Sequence, residues 1–235
     1  MYDGKIVLIT GARRGVGHLM VEHFLKNHAQ VIGFSRSEDL GESHPAYFPF
    51  VVDVGSAESV SAGFSRVRKK FSRLDIVINN AAILTSQYAM IMPPSSAWSM
   101  LETNLLGTFL VSRESAKLMR SSKWGRIINI GSMAVSLEPV GDSIYAATKA
   151  AISTLANVMA KEFASMNITC NTLGITAIET DMLSQLPREK VNAVIAGLPI
   201  ARYATADDIL NVIDFFSSER SSYITAQTVF LGGVN

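Results

Sequence analysis

The sequence predicts an α/β protein built on a doubly wound parallel sheet with helices on both faces. Three observations carry that prediction. Short apolar runs alternate with longer segments whose apolar residues recur near helical spacing. Most of the runs are continuously apolar, the pattern of strands covered on both faces. A glycine-rich turn joins the first run to the first helical segment.

The elements follow in chain order. KIVLIT (Lys5–Thr10) is the first strand. HLMVEHFLKNHA then places Leu19, Met20, Phe24 and Leu25 near one helix face. QVIGFS, YFPFVVDV, LDIVINNAA, GRIINIGS, ITCNTLG and QTVFLGG complete a set of seven strands, with further helices expected at about 57–72, 95–121, 144–165 and 206–218. Between Arg36 and Tyr47 the polar SEDLGESHPA leaves little room for a helix and reads as a loop. The segment at about 180–205 is the least regular, with Pro187 and Pro199 around the amphipathic REKVNAVIAGL. It reads as a flexible substrate flap over the carboxyl edge of the sheet. No repeat or linker divides residues 1–235, so one domain is expected.

Composition narrows the function classes. The chain is 48% hydrophobic with a net charge of +1, which gives no reason to expect a nucleic-acid partner. The single cysteine, Cys170, forbids an intrachain disulfide, fits a reducing compartment and reads as core. No basic n-region precedes a signal-length apolar core, and no uncharged run reaches the ~18 residues of a membrane helix. A soluble, cytoplasmic protein without a resident metal is expected. The run RVRKKFSR (Arg66–Arg73) reads as a solvated helix end favourable to the dipole, and YAMIMPPSSAWSML as a packing or subunit-contact segment.

After the first strand comes TGARRGVG, with Gly11, Gly15 and Gly17 in a G-x-x-x-G-x-G spacing. Such a turn lets backbone approach a phosphate, and the following helix start offers free N–H groups and a positive dipole end. The second strand ends in Ser35 and Arg36, with no acid to hydrogen-bond a ribose 2′-hydroxyl. Arg36, joined by Arg14 from the glycine turn, suits a 2′-phosphate and favours NADP(H). Asp53 either accepts a hydrogen bond from an adenine amino group or caps the helix starting near Ser56.

SIYAATKAA places Tyr145 and Lys149 one helical turn apart. An ammonium beside a phenol favours the phenolate, so the tyrosine pKa is expected to fall and the group to exchange protons with a carbonyl oxygen. Ser132 ends a strand thirteen residues earlier, where open α/β sheets bind ligands, and can polarise the same carbonyl. Asn104 lies inside a predicted helix despite its poor helix propensity, which suggests a local defect holding a water. The amides of INNAA (Ile78–Ala82) can brace neighbouring backbone.

In this order and spacing, Thr10-Gly11-x-x-x-Gly15-x-Gly17, Asp53, Asn79-Asn80-Ala81, Asn104, Ser132, Tyr145-x-x-x-Lys149 and the segment around Ile178 and Thr180 resemble the short-chain dehydrogenase/reductase family over essentially the whole chain. The resemblance implies a single-domain Rossmann-type fold with a seven-stranded parallel sheet. It implies Tyr145 as general acid/base, Ser132 as the carbonyl-orienting hydroxyl, Lys149 as ribose anchor and modulator of the tyrosine, and Asn104 as anchor of a relay water. Asn79 would be structural. The cofactor contacts it implies are Gly11, Arg13, Arg14, Gly15, Val16, Gly17, Ser35, Arg36, Asp53, Val54, Asn80, Ala81, Ala82, Tyr145, Lys149, Ile178 and Thr180.

Within the family the chain is most similar to 3-oxoacyl-[acyl-carrier-protein] reductases, through ETNLLGTFL, GRIINIGS, IETDM and SSERSSYITAQTVFLGG. That likeness implies NADPH-dependent reduction of a 3-oxoacyl thioester, an acyl-carrier-protein partner, and substrate or carrier contacts at Thr176, Met182 and Arg126. Two other readings stay open: a family member acting on a small cyclic or secondary alcohol or ketone, and a non-catalytic cofactor-binding partner subunit. The small residues Ala146, Ala147, Ala150, Ala151 and Ala156 allow close helix approach. With the family's helix-pair contact they imply a homotetramer, or failing that a homodimer.

Three positions depart from the family pattern. Ile175 and Thr176 stand where Pro-Gly is usual, which changes backbone freedom and adds bulk beside the expected nicotinamide. Ala82 stands where glycine is usual. Of the two basic residues with which carrier-protein reductases meet their carrier, Arg126 matches one and Met166 occupies the other position.

Overall fold

A computed structural model describes residues 2–38, 44–178 and 188–234. Seven strands form one parallel sheet: β1 (Ile6–Thr10), β2 (Gln30–Ser35), β3 (Tyr47–Val51), β4 (Ile76–Asn79), β5 (Gly125–Ser132), β6 (Ile168–Ile175) and β7 (Thr228–Phe230). Their order is β3-β2-β1-β4-β5-β6-β7. The chain therefore winds outward one way from β1 to β3, then restarts beside β1 at β4 and winds the other way. The gap between the carboxyl ends of β1 and β4 is the switch point where such sheets take ligands.

The apolar continuity of the strands is explained by the two layers. In β1, Leu8 points into one core with Phe64 and Val67 of α2 (Ala57–Lys70), while Val7 and Ile9 point into the other with Met20 and Phe24 of α1 (Gly15–Lys26). Alternate residues thus go to opposite faces, and both faces are covered. β3 is shorter than YFPFVVDV suggested, because its register with β2 ends at Ser35↔Val51. It is an edge strand, and Pro49 there gives up an N–H at little cost.

The helix expected at about 95–121 is three pieces: α3 (Pro94–Met100), a π-helical turn at Leu101–Leu106 and α4 (Gly107–Ser122). The others expected after the third strand appear as α2, α6 (Ser143–Phe163) and α8 (Ala206–Ser217), and a four-residue α5 (Ala134–Leu137) follows β5. Of the expected flap, 179–187 lies outside the described residues. Its remainder contains α7 (Arg188–Ala196), whose Val191 and Ile195 are buried with Ala177 against Met133 and Tyr203, so it is seated beyond the end of β6. No helix among the described residues is long and apolar enough to cross a membrane.

Candidate active site

The glycine turn is built for close approach. Gly11 sits at φ +66, and a Cβ on it would lie 2.9 Å from Asn80 Nδ2. A Cβ on Gly17 would lie 2.0 Å from the Gly11 carbonyl oxygen, so α1 packs onto the turn only because both residues lack side chains. Thr10 and Asn80 tie β1 to β4. The Thr10 hydroxyl accepts from the N–H groups of Asn80 (3.0 Å) and Ala81 (2.9 Å), and the Asn80 amide donates to the carbonyls of Thr10 (3.0 Å) and Gly11 (3.3 Å). This is the bracing role expected of INNAA.

α2 and α8 are capped by Ser56 and by a Thr205–Asp208 capping box. At α1 the N-cap Arg14 supplies no side-chain cap, and no acid stands in the first turn. The positive helix end and its N–H groups face the turn uncompensated, as an anion site requires.

From this turn a cavity of about 270 Å³ runs along the carboxyl ends of the strands. Gly11, Arg13, Arg14, Gly15, Val16, Ser35, Arg36, Val54, Asn80, Ala81, Ala82, Ile178, Tyr145 and Lys149 all line it, as the sequence led us to expect. None of the residues lining the cavity is acidic. It also gathers residues that the sequence reading did not assign: Ile83, Thr103, Ile130, Gly131 and Ile175. The positions of Ile130 and Gly131 just before Ser132 on β5 were the available signal. Asp53 lies at the rim, exposed. Its Oδ1 accepts from Gly55 N–H at 3.0 Å, and Ser56, not Asp53, caps α2. Thr180 and Met182 lie outside the described residues.

At the inner end, Tyr145 and Lys149 are buried together on α6, with the Lys149 ammonium 5.9 Å from the Tyr145 ring centre. The ammonium donates to the Ile130 carbonyl at 2.7 Å. Burial lowers the Lys149 pKa to about 8, so it stays largely charged at neutral pH. The expected fall in the Tyr145 pKa is not found. Burial pushes the phenol up, a hydrogen bond from the Ser132 hydroxyl works against that rise, and the Asp142 carboxylate adds to it. Desolvation of the anion outweighs what sequence spacing alone suggested. Ser132 is held by β5, and its Oγ accepts from Ala134 N–H at 3.1 Å.

Asn104 occupies the π turn, a helix defect where one was expected. Its amide is engaged on three sides: Oδ1 accepts from Ile83 N–H (2.9 Å), while Nδ2 donates to the Ile83 carbonyl (3.0 Å) and to Thr148 Oγ1 (3.1 Å). It pins the cavity wall at Ile83 to α6. Asn79 is structural: its amide donates to Ser112 Oγ and Asn129 Oδ1, both at 2.8 Å, inside the fold.

Two expected substrate or carrier contacts fall elsewhere. Arg126 is 0% exposed, at the start of β5 and away from the cavity. Its guanidinium donates to the Ser218 carbonyl (3.3 and 3.2 Å) and the Gly125 carbonyl (3.0 Å), and it stacks 4.4 Å from the Trp124 ring. A charge spent on internal carbonyls is not a carrier-docking charge, so that expectation is corrected. Thr176 is buried against Gly232, where a Cβ would meet its methyl at 2.9 Å; the neighbouring Ile175 is the residue that faces the cavity.

Comparison with known proteins agrees with this architecture. The family model for short chain dehydrogenase matches residues 5–191. The chain is 34% identical to the 3-oxoacyl-[acyl-carrier-protein] reductase FabG of Escherichia coli, over 99% of this chain and 97% of that protein. The corresponding protein of Vibrio cholerae is 33% identical over 98% and 97%. A 3-ketoacyl-(acyl-carrier-protein) reductase from Brucella melitensis, solved in complex with NADH, superposes with a TM-score of 0.91 at 27% identity, covering 98% of both chains. The aldohexose dehydrogenase of Thermoplasma acidophilum shares the fold, with a TM-score of 0.90 at 24% identity over 98% of this chain and 94% of that one. With the glycine turn, the buried Tyr145–Lys149 pair and a match across most of its length, the chain belongs to the short-chain dehydrogenase family and is an oxidoreductase with a nicotinamide cofactor.

Proposed function

We propose that the protein is an NADPH-dependent ketoreductase that converts a 3-oxoacyl thioester, carried on acyl carrier protein or a similar group, to the 3-hydroxyacyl product. The observation that carries this reading is the placement of Tyr145, Lys149 and the Ser132 hydroxyl at the inner end of a cavity whose outer end holds the glycine turn and Arg13, Arg14 and Arg36. The glycines leave the backbone bare where a Cβ would collide, the α1 N-terminus is uncompensated and the lining lacks acids, which together suit a dinucleotide carrying an extra phosphate. When bound, that cofactor supplies the hydride to the carbonyl carbon. Tyr145 gives its phenolic proton to the carbonyl oxygen, and Ser132 holds that oxygen in place by hydrogen bonding. Lys149, charged and fixed by Ile130, holds the nicotinamide ribose and offsets the negative charge left on Tyr145. Asn104 fixes the Ile83 wall and anchors the water through which Tyr145 is reprotonated.

A second reading is favoured by one observation: Arg126 is buried, and the other carrier-docking position is Met166. The substrate is then a free small secondary alcohol or ketone. A panel of 3-oxoacyl thioesters, carrier-linked and free, run beside small cyclic and secondary ketones with NADPH, separates the two. The first reading expects turnover on the thioesters, and activity confined to free ketones would overturn it.

The assembly in this proposal is a homotetramer, or a homodimer if only one contact forms, built first on α4 and α6. Leu106 and Phe109 are exposed just before and along α4, and Val158, Ala147 and Ala150 on α6, which leaves apolar surface for a second copy. Sedimentation at micromolar concentration is expected to show the oligomer; a monomer alone would refute it.

A further inference from the structure

α6 opens on a carboxylate that the reaction so far described does not use. Asp142 stands at the N-cap position, three residues before Tyr145, and is only 7% exposed. Its backbone is fixed, the N–H donating to the Pro139 carbonyl (3.1 Å) and the carbonyl accepting from Ala146 N–H (2.8 Å). The side chain makes no cap hydrogen bond, and Oδ1 is buried without a partner. An unanswered buried carboxylate oxygen is costly, and a neutral serine or asparagine serves a helix N-terminus as well. The positive end of α6 offsets part of that cost. What an uncapped charge does here, and a neutral cap does not, is act on the buried phenol one turn away.

We propose that Asp142 is a positioning residue for proton transfer: its negative charge holds Tyr145 in the protonated form, poising the resting site to donate a proton to a carbonyl and deferring alcohol oxidation, which needs the phenolate, to higher pH. The inference rests on reading Tyr145 as the acid–base group. The other groups facing that phenol are few. Ser132 hydrogen-bonds to it from β5, and Lys149 lies on its own helix. Met100 from α3, Ala134 from α5, and Ile83, Leu84 and Met92 from the preceding loop are apolar. Asp142 itself borders a second, outer cleft with Tyr88 and Glu138. The direction of the Tyr145 shift agrees: burial raises it first, Ser132 opposes, and Asp142 raises it further. The overall equilibrium is unaffected; what moves is the pH at which each direction runs.

The test compares wild type, Asp142→Asn, Asp142→Glu and Tyr145→Phe. Two readouts are needed: the pH profile of kcat/KM for ketone reduction and alcohol oxidation, and an ultraviolet tyrosinate titration of the apoprotein with Tyr145→Phe as the blank. In Asp142→Asn the rising limb of oxidation and the Tyr145 titration are both expected to move down by about one to two pH units. Asp142→Glu should restore the wild-type positions. If Asp142→Asn folds poorly, Asp142→Ser keeps a cap oxygen and serves instead. Unmoved profiles and an unmoved titration, with or without a loss of thermal stability, would reduce Asp142 to a helix-end charge and overturn the proposal. Full activity in Tyr145→Phe would instead overturn the acid–base reading, and the titration tells these failures apart because it needs no turnover.

Discussion

Tyr145→Phe is expected to lower kcat by about 10²–10⁴-fold while leaving the NADPH dissociation constant within a few-fold of wild type. The substitution removes one oxygen. The ring, 9% exposed and packed with Met100 and Ala134, keeps its place, so the loss reads on proton transfer and not on folding. Steady-state turnover and a fluorescence titration of NADPH make the measurement. A variant retaining a tenth or more of the activity would remove Tyr145 from the chemistry.

Arg36→Asp is expected to raise the NADPH dissociation constant far more than that of NADH, by about 2–4 kcal/mol or roughly 30- to 700-fold. Arg36 follows the last residue of β2 and lines the outer end of the cavity with Arg13 and Arg14, so its guanidinium is placed to pair with a 2′-phosphate. Aspartate loses that pair and repels the same group. Titrating both cofactors decides it, since equal weakening would mean that Arg36 does not read the phosphate. The comparison matters because one close structural relative was solved with NADH.

The architecture was legible because a parallel sheet covered on both sides writes itself as continuous apolar runs, and β1 shows this in Leu8 against Val7 and Ile9. The residues lining the cavity were legible because strand carboxyl ends are marked by glycine, serine and asparagine. What was not legible depended on burial. Spacing put Lys149 beside Tyr145 and pointed to a lowered phenol pKa, whereas desolvation of both groups sets the direction of each shift. Arg126 looked like a surface charge because sequence does not show that Ser218 and Trp124 close over it. Asp142 stood unread in GDSIY because an orphaned oxygen is a fact of packing.

The π turn at Leu101–Leu106 has a consequence for helical phase. A π turn holds one more residue than the α turn it replaces, so everything after it is rotated by about 100° relative to a continuous helix. With that extra residue, Asn104 at 0% exposure points inward to grip Ile83 and Thr148, while Leu110, Val111 and Met119 of α4 still meet the sheet. One helical path therefore serves two partners on two bearings, the cavity wall before the turn and the core after it. No single 3.6-residue period can satisfy both.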